Sequence, residues 1–408
     1  MALTNLTIDP DRLLNRLRDL GAIGRDGDGR LVRLAASDAD RMGRDQFVAW
    51  ASEAGLSVKV DRIGNIFALW AEPGTAHEAP LMLGSHIDTV IDAGIYDGCY
   101  GVLAGLEVVA TLKEAGLVPK RPLIVAAFTN EEGVRFSPDM LGSLAFTGCI
   151  AADEALAARG TDGKVLGEEL TRIGYAGNDD VAKPAAYIEL HIEQGPVLER
   201  EGIAIGAVEN LQGISWQRIT LEGVANHAGT TPMAMRSDAG AAAAAVITFL
   251  QARARASKTG TVATVGTIAF EPNAINVIPA RAVFTVDLRD PDEASLKAHE
   301  KALADYLETL EGITVAVERL ARFEPVAFDQ SLVREIETAA RARGHTVRRM
   351  TSGAGHDAQM IARIAPAAMI FVPSLGGISH NPKELTPDAD LIAGANVLLD
   401  VVRTLALR

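Results

Sequence analysis

His86, Asp97, Glu132, His191 and His380 are the residue types that two adjacent divalent cations require, and Glu131 supplies a base beside them. The surrounding words are G-S-H-I-D-T-V at 84–90, Y-D-G at 96–98, T-N-E-E-G at 129–133, H-I-E-Q-G at 191–195 and S-H-N-P at 379–382. Each is short and polar and follows an apolar run. Imidazole nitrogens and carboxylate oxygens suit zinc and also manganese, cobalt or nickel, and one carboxylate can bridge two ions about 3.5–4 Å apart. Asp97 is the natural bridge. Asp88, two residues after His86, returns to the same strand face and is placed to orient that imidazole through its second nitrogen. Adjacent Glu131 and Glu132 cannot share one strand face, so at a strand end one can bind metal while the other moves a proton. If these ligands converge in space, the chain is a hydrolase.

Ligands so far apart in sequence need rigid elements to deliver them. The run 122–128 is continuously apolar and ends in T-N-E-E, as a buried central strand does when it presents polar residues at its carboxyl end. Residues 186–190 end the same way in H-I-E-Q. Further strands are predicted at 57–60, 65–71, 81–85 and 367–372, with helices at 9–21, 37–55, 99–116, 331–343 and 388–407. The middle has another rhythm: strand 215–222, helix 237–257, strands 261–270 and 282–288, helix 292–311 and strand 313–320. This β-α-β-β-α-β order predicts a ferredoxin-like domain at 209–324, inserted into a discontinuous α/β domain at 1–208 and 325–408.

Composition removes other classes. With 408 residues, 48% hydrophobic and 23% charged, the chain can bury large cores in two or three domains. A net charge of −14 without any basic run argues against a nucleic-acid partner. No apolar run spans a membrane without Gly or charge, and M-A-L-T-N-L-T-I-D-P lacks a signal peptide's basic leader and apolar core. A cytoplasmic protein with no membrane partner is expected. Cys99 and Cys149 are too few for a disulfide framework, lack C-x-x-C spacing and read as core residues. A lone His is ordinarily structural or on the surface, and His77, His299 and His345 keep that reading.

Together, G-S-H-I-D-T-V, Y-D-G, T-N-E-E-G, H-I-E-Q-G, N-H-A-G-T-T-P-M, S-G-A-G-H-D-A and G-I-S-H-N-P resemble the hydantoinase/carbamoylase family of zinc-dependent amidohydrolases. That family includes N-carbamoyl-L-amino-acid hydrolases, β-ureidopropionases and allantoate amidohydrolases, and is related to the aminoacylase and carboxypeptidase metallopeptidases. The resemblance runs from about residue 10 to 405. It implies a zinc-exopeptidase-like α/β catalytic domain, with a central mixed sheet flanked by helices, and an inserted lid and dimerisation domain. His86 and His191 would hold one metal and Glu132 and His380 the other, with Asp97 bridging and Glu131 as general base towards the attacking water. Related peptidases usually have an acidic ligand where this sequence has His191, which favours the amidohydrolase branch.

The same resemblance puts His227, from the inserted domain of the same or of a second subunit, on the oxyanion as hydrogen-bond donor. It adds Gln194 and Asn276 as substrate-binding residues, with backbone contacts from Gly353 and Gly355. Arg289, at the end of a predicted strand, offers the planar partner a substrate carboxylate needs, its bland reading being an ion pair with Asp287 or Asp290. His356 and Asp357 either line the pocket or brace the loop and stay outside the metal set. The expected function is hydrolysis of the carbamoyl C–N bond of N-carbamoyl-amino acids, α or β, to amino acid, carbon dioxide and ammonia. Two divalent ions per subunit, zinc foremost, a small ureido substrate bearing a carboxylate, and a homodimer with hinges near 208–213 and 321–326 complete the expectation. Allantoate is the alternative substrate, an aminoacylase or dipeptidase comes third, and a catalytically silent metal-binding assembly protein is the rival of a different class. Retention of Glu131 disfavours that rival, since structural metal binding needs no base.

Overall fold

A computed structural model describes residues 6–407. The chain forms two compact units, Met1–Glu209 with Ala327–Arg408, and Asn210–Val326.

The first unit is built on a mixed sheet whose strands run in the order Ser57–Val60, Ile66–Trp70, Leu123–Phe128, Leu81–His86, Ala186–Ile192, Ala367–Val372 and Ile205–Leu211. Of these, Leu123–Phe128, Leu81–His86, Ala186–Ile192 and Ala367–Val372 are mutually parallel neighbours. They carry apolar side chains on both faces and are buried almost throughout, as parallel strands covered by helices on both sides must be. Helix Cys99–Glu114 is one of the covers. It is buried from Cys99 to Leu112 and apolar on nearly every side apart from Glu107, which pairs with Arg12, so it lies inside the unit rather than on its surface. The Tyr100 hydroxyl donates to the Leu391 carbonyl at 2.6 Å and fixes helix Asp388–Leu407 beside it.

The second unit has an antiparallel sheet in the order Thr314–Phe323, Gly213–Glu222, Arg281–Asp290, with Val262–Thr264 and Ile268–Glu271 both pairing to Arg281–Asp290. Taking the last two as one interrupted strand, the order is that of a ferredoxin-like sandwich. Helices Ala239–Ala256 and Glu293–Glu308 bury one sheet face around Ile219, Leu221, Phe284, Val286, Leu288, Leu296 and Leu303. Small side chains at Ala239 and Ala243 let the first helix sit close to the sheet.

Three differences from the sequence reading have physical causes. The strand read at 261–270 breaks around Gly266, and the Thr285 hydroxyl bonds the Thr267 amide and hydroxyl across the gap. Strand Val347–Ser352 went unread because V-R-R-M-T-S carries the polar pattern of an edge rather than an apolar run. Cys149 is exposed, not in the core, whereas Cys99 is buried and both are free. Among the described residues, no helix is long and apolar enough to cross a membrane.

Candidate metal centre

The carboxyl ends of the four parallel strands are where polar residues gather, the edge at which open α/β sheets present ligands. Strand Leu81–His86 ends on His86, Ala186–Ile192 carries His191 as its penultimate residue, and Leu123–Phe128 runs into Thr129, Asn130, Glu131 and Glu132. Asn130 adopts a left-handed backbone, φ 57°, and its side-chain amide donates to the Phe136 and Pro138 carbonyls, which turns the chain sharply after the strand. Glu131 and Glu132 consequently face different partners. The Glu131 carboxylate lies 3.4 Å from His86 Nε2, and the Glu132 carboxylate 3.5 Å from His380 Nε2.

Asp97 stands between them. Its Oδ1 is 3.5 Å from His86 Nε2 and 3.2 Å from His191 Nε2, while its Oδ2 is 3.3 Å from His380 Nε2. Two ligand groups result, His86 with Asp97 and His191, and Asp97 with Glu132 and His380. Gly98 permits this closeness: at φ 64° it has no Cβ, which would fall 2.4 Å from the His86 ring.

Hydrogen bonds settle which ring nitrogens face inward. His86 Nδ1 is 3.0 Å from the Asp88 carbonyl and His191 Nδ1 is 2.9 Å from the Ile192 carbonyl, so both Nδ1 atoms carry the proton and both Nε2 atoms offer a lone pair. The Gly98 N–H donates to His191 Nε2, in keeping with that tautomer. Lone pairs that face carboxylate oxygens at these distances repel unless a cation or proton lies between them. The separations also approach the ~3.3 Å that ligand atoms keep around a tetrahedral ion bonded at about 2.0–2.1 Å. One Glu132 oxygen is buried without a hydrogen-bond partner. The donor set therefore fits divalent cations, and its N and O chemistry suits zinc, manganese, cobalt or nickel.

Charge balance makes the same demand. Burial and the Asp97 charge push Glu132 up to about 8, burial raises Glu131 well above the ordinary carboxylate range, and the bond to Asp97 lifts His380 to about 9. Burial opposes ionisation of Asp97, yet with protons on the facing Nε2 atoms in place of cations, hydrogen bonds from the three imidazoles hold it well below its usual range.

Other expected residues fall in several places. The Asp88 carboxylate lies 3.9 Å from His86 Nδ1 and takes the Glu131 and Glu132 N–H groups instead, so its carbonyl orients the ring and its side chain shapes the glutamate turn. Gln194, at φ 58°, donates its amide to Asp97 Oδ2 at 2.7 Å. His356 is buried with its ring centroid 4.6 Å from that of His191, and its Nε2 meets the Ser352 hydroxyl. Gly353 and Gly355 form the turn between strand Val347–Ser352 and helix Asp357–Ile361. Glu189, His191 and His356 also cluster, but Glu189 accepts from the Ser85 and Tyr187 hydroxyls and the Ala358 amide and braces the sheet from behind.

Within the second unit, His227 and Asn276 are exposed and adjacent: His227 bridges to Val277, and the Ala228 N–H donates to the Asn276 carbonyl. His227 Nδ1 accepts the Gly229 and Thr230 N–H groups, which leaves Nε2 as the donor. Arg289 pairs with Asp287, the bland reading, through Nε and Nη2. It also lies at the far end of strand Arg281–Asp290 from the Asn276 loop, about 27 Å from Arg281 at the usual rise per residue.

One residue escaped the sequence reading. Glu384 is buried and accepts from the Tyr96 and Asp97 N–H groups and the Ser379 hydroxyl. Its only signal was an acid four positions beyond a candidate ligand.

Comparison with known proteins shows what the chain is similar to. The model of peptidase family M20/M25/M40 matches residues 82–404. An N-carbamoyl-L-amino-acid amidohydrolase of Rhizobium meliloti is 42% identical over 404 residues, covering 98% of this chain and 97% of that one. An allantoate amidohydrolase of Bacillus subtilis (strain 168) is 36% identical, covering 95% of each chain. A crystal structure of a hydantoinase/carbamoylase family amidase from Burkholderia multivorans superposes with a TM-score of 0.95 at 42% identity, covering 99% of both chains.

Proposed function

We propose, from the premise that this chain belongs to peptidase family M20/M25/M40, that it is a metal-dependent amidohydrolase cleaving the carbamoyl C–N bond of N-carbamoyl-L-amino acids. The observation that carries the reading is the division of Asp97's two oxygens between the His86/His191 and Glu132/His380 sets, with Glu131 at the edge. Divalent cations held there, zinc or a chemical relative, would polarise the ureido carbonyl and ease ionisation of water. Glu131 takes the proton of the attacking water and returns it to the departing nitrogen. Hydrolysis of R–NH–CO–NH2 by one water yields the amino acid, carbon dioxide and ammonia.

Recognition falls to residues outside the metal set. The Nε2–H of His227 is the donor suited to the developing oxyanion, and Gln194 and Asn276 offer amides to the ureido group. Gly353 and Gly355 add backbone contacts. Arg289 exchanges its Asp287 partner for the substrate carboxylate, a planar bidentate match. A small substrate cannot touch both ends of strand Arg281–Asp290, so His227 and Asn276 on one side and Arg289 on the other call for two copies of the chain. A homodimer meets that need. We place the enzyme in the cytoplasm, in keeping with two free cysteines, one of them exposed.

An ammonia-release panel on metal-reconstituted protein tests the substrate. N-carbamoyl-L-α-amino acids and N-carbamoyl-β-alanine are compared with allantoate and simple dipeptides. Turnover of the carbamoyl compounds is expected, and turnover of dipeptides alone would sink the reading. Allantoate is the second reading, favoured by the Bacillus subtilis relative, and preferential release of ammonia from it would replace the first.

A further inference from the structure

The two ligand sets are not held alike. His86 and His191 sit within regular strands, their side chains 1% exposed. His380 sits on a loop, its side chain 51% exposed, with a left-handed backbone at φ 53°. For a non-glycine residue that conformation is strained and persists only where surrounding contacts impose it. Among the described residues, the polar partners of the His380 ring, Asp97, Glu132 and Gln194, all lie on loops, so loop contacts bear on its placement.

Glu384 is the group in position to supply such contacts. It is 6% exposed, and its Oε1 accepts the N–H groups of Tyr96 at 3.1 Å and Asp97 at 3.3 Å, 288 and 287 residues away in sequence. Its Oε2 accepts the Ser379 hydroxyl at 2.9 Å, next to His380. The Glu384 N–H closes a turn onto the Asn381 carbonyl, so its backbone is tied to the same loop. A Cβ at Gly94 would lie 2.2 Å from Oε1, which shows how closely the 94–97 loop is fitted around the carboxylate. One side chain thus spans the loop that carries Asp97 and the loop that carries His380. The gap it spans is the gap across which those two ligands face each other.

We propose that Glu384 is a positioning residue that sets the affinity of the Asp97/Glu132/His380 set for its cation, while the His86/Asp97/His191 set depends on its strands. The inference rests on the metal reading above, and the experiment separates the two. Full-length apoprotein is titrated with Zn2+ against a chromophoric chelator and with Co2+ followed by visible absorption, for wild type, E384A, E384Q and E384D. Wild type binding two ions per chain upholds the metal reading; failure to do so sinks that reading and this inference with it.

Given two ions in wild type, E384A loses about 10–100-fold at the Asp97/Glu132/His380 set, the usual range for a residue that orients ligands, and less at the other set, which shares Asp97 but keeps His86 and His191 on their strands. E384Q retains two ions, because its carbonyl still accepts from the 96–97 amides and its amide donates to Ser379. E384D keeps the charge but not the reach and behaves like E384A. Equal weakening of both ions, unchanged binding in E384A, or rescue by Asp rather than Gln overturns the proposal. Should E384A fail to fold, the contrast between E384Q and E384D decides alone.

Discussion

In the first unit, strands Leu81–His86 and Ala186–Ile192 are buried along nearly their whole length and carry, at or next to their last residue, imidazoles that are themselves buried. In the second, strand Arg281–Asp290 alternates half-buried with buried residues, and His227 and Asn276 lie exposed on loops beyond its sheet. Groups that must hold charge close to charge are fixed by a two-sided core, which desolvates them and restricts their rotamers. The groups proposed to meet a substrate or a second copy are exposed or half-buried, where their present partners, such as Asp287 for Arg289, can be exchanged. The contrast is between ligand-type residues held in a buried scaffold and polar residues displayed on a surface.

The largest way to test that contrast is Glu131→Gln. Loss of the proton carrier lowers kcat by about 10²–10⁴-fold, while metal content and thermal midpoint stay near wild type. Full turnover in metal-replete protein would leave the first unit without its assigned base and revive the silent assembly protein as a reading.

A smaller effect belongs to the second unit. His227→Ala removes an oxyanion donor and lowers kcat by roughly 10²–10³-fold with ligand binding at the metal set unchanged. Co-expressing the His227→Ala and Glu131→Gln chains then restores roughly a quarter of wild-type activity, because half of randomly assorted symmetric dimers hold one intact site. No recovery would mean that His227 serves the Glu131 of its own chain, and the surface would need no second copy.

Acid sensitivity gives the smallest effect, with opposite signs in the two units. Burial raises Asp61 of the first unit to about 6, so between about pH 4 and 6 the folded chain holds a proton that the unfolded chain has released. Its contribution to stability therefore falls as pH rises through that window, by about 2–3 kcal/mol at most. His299 of the second unit is pushed below its ordinary value by burial and by Arg253, so its contribution is lost as pH falls below about 6.5. Denaturant unfolding between pH 4 and 7 should show the first slope flattened in Asp61→Asn and the second in His299→Gln. Parallel slopes in both variants and wild type would remove the distinction.

How much was readable follows from the same difference. Strands Ser57–Val60 and Ala367–Val372 and helix Asp388–Leu407 were located to the residue, because apolar runs bounded by turn residues report burial directly. His86, Asp97, Glu132, His191 and His380 were legible as a set because few side chains other than His, Asp and Glu ligate such ions, and these followed buried strands. Glu384 was not. Its role depends on which loops meet, and nothing local in K-E-L distinguishes a buried carboxylate spanning two loops from a solvated one. Asp88 was legible as the residue behind His86 but not by which atom: alternation pointed to its side chain, whereas its own carbonyl reaches the His86 ring first.

The first unit's sheet has a consequence for the order in which the protein is made. Strand Ala186–Ile192 pairs in parallel with Ala367–Val372, yet the whole of Asn210–Val326 is synthesised between them. A nascent chain that has reached the inserted unit can fold that contiguous stretch, while the apolar edge of Ala186–Ile192 waits for a partner still to be translated. Such an unpaired edge invites pairing with another chain. The discontinuity that lets one scaffold gather ligands from positions 86 to 380 therefore leaves that edge open while the inserted unit is translated, the interval in which a chaperone or a low expression temperature matters most.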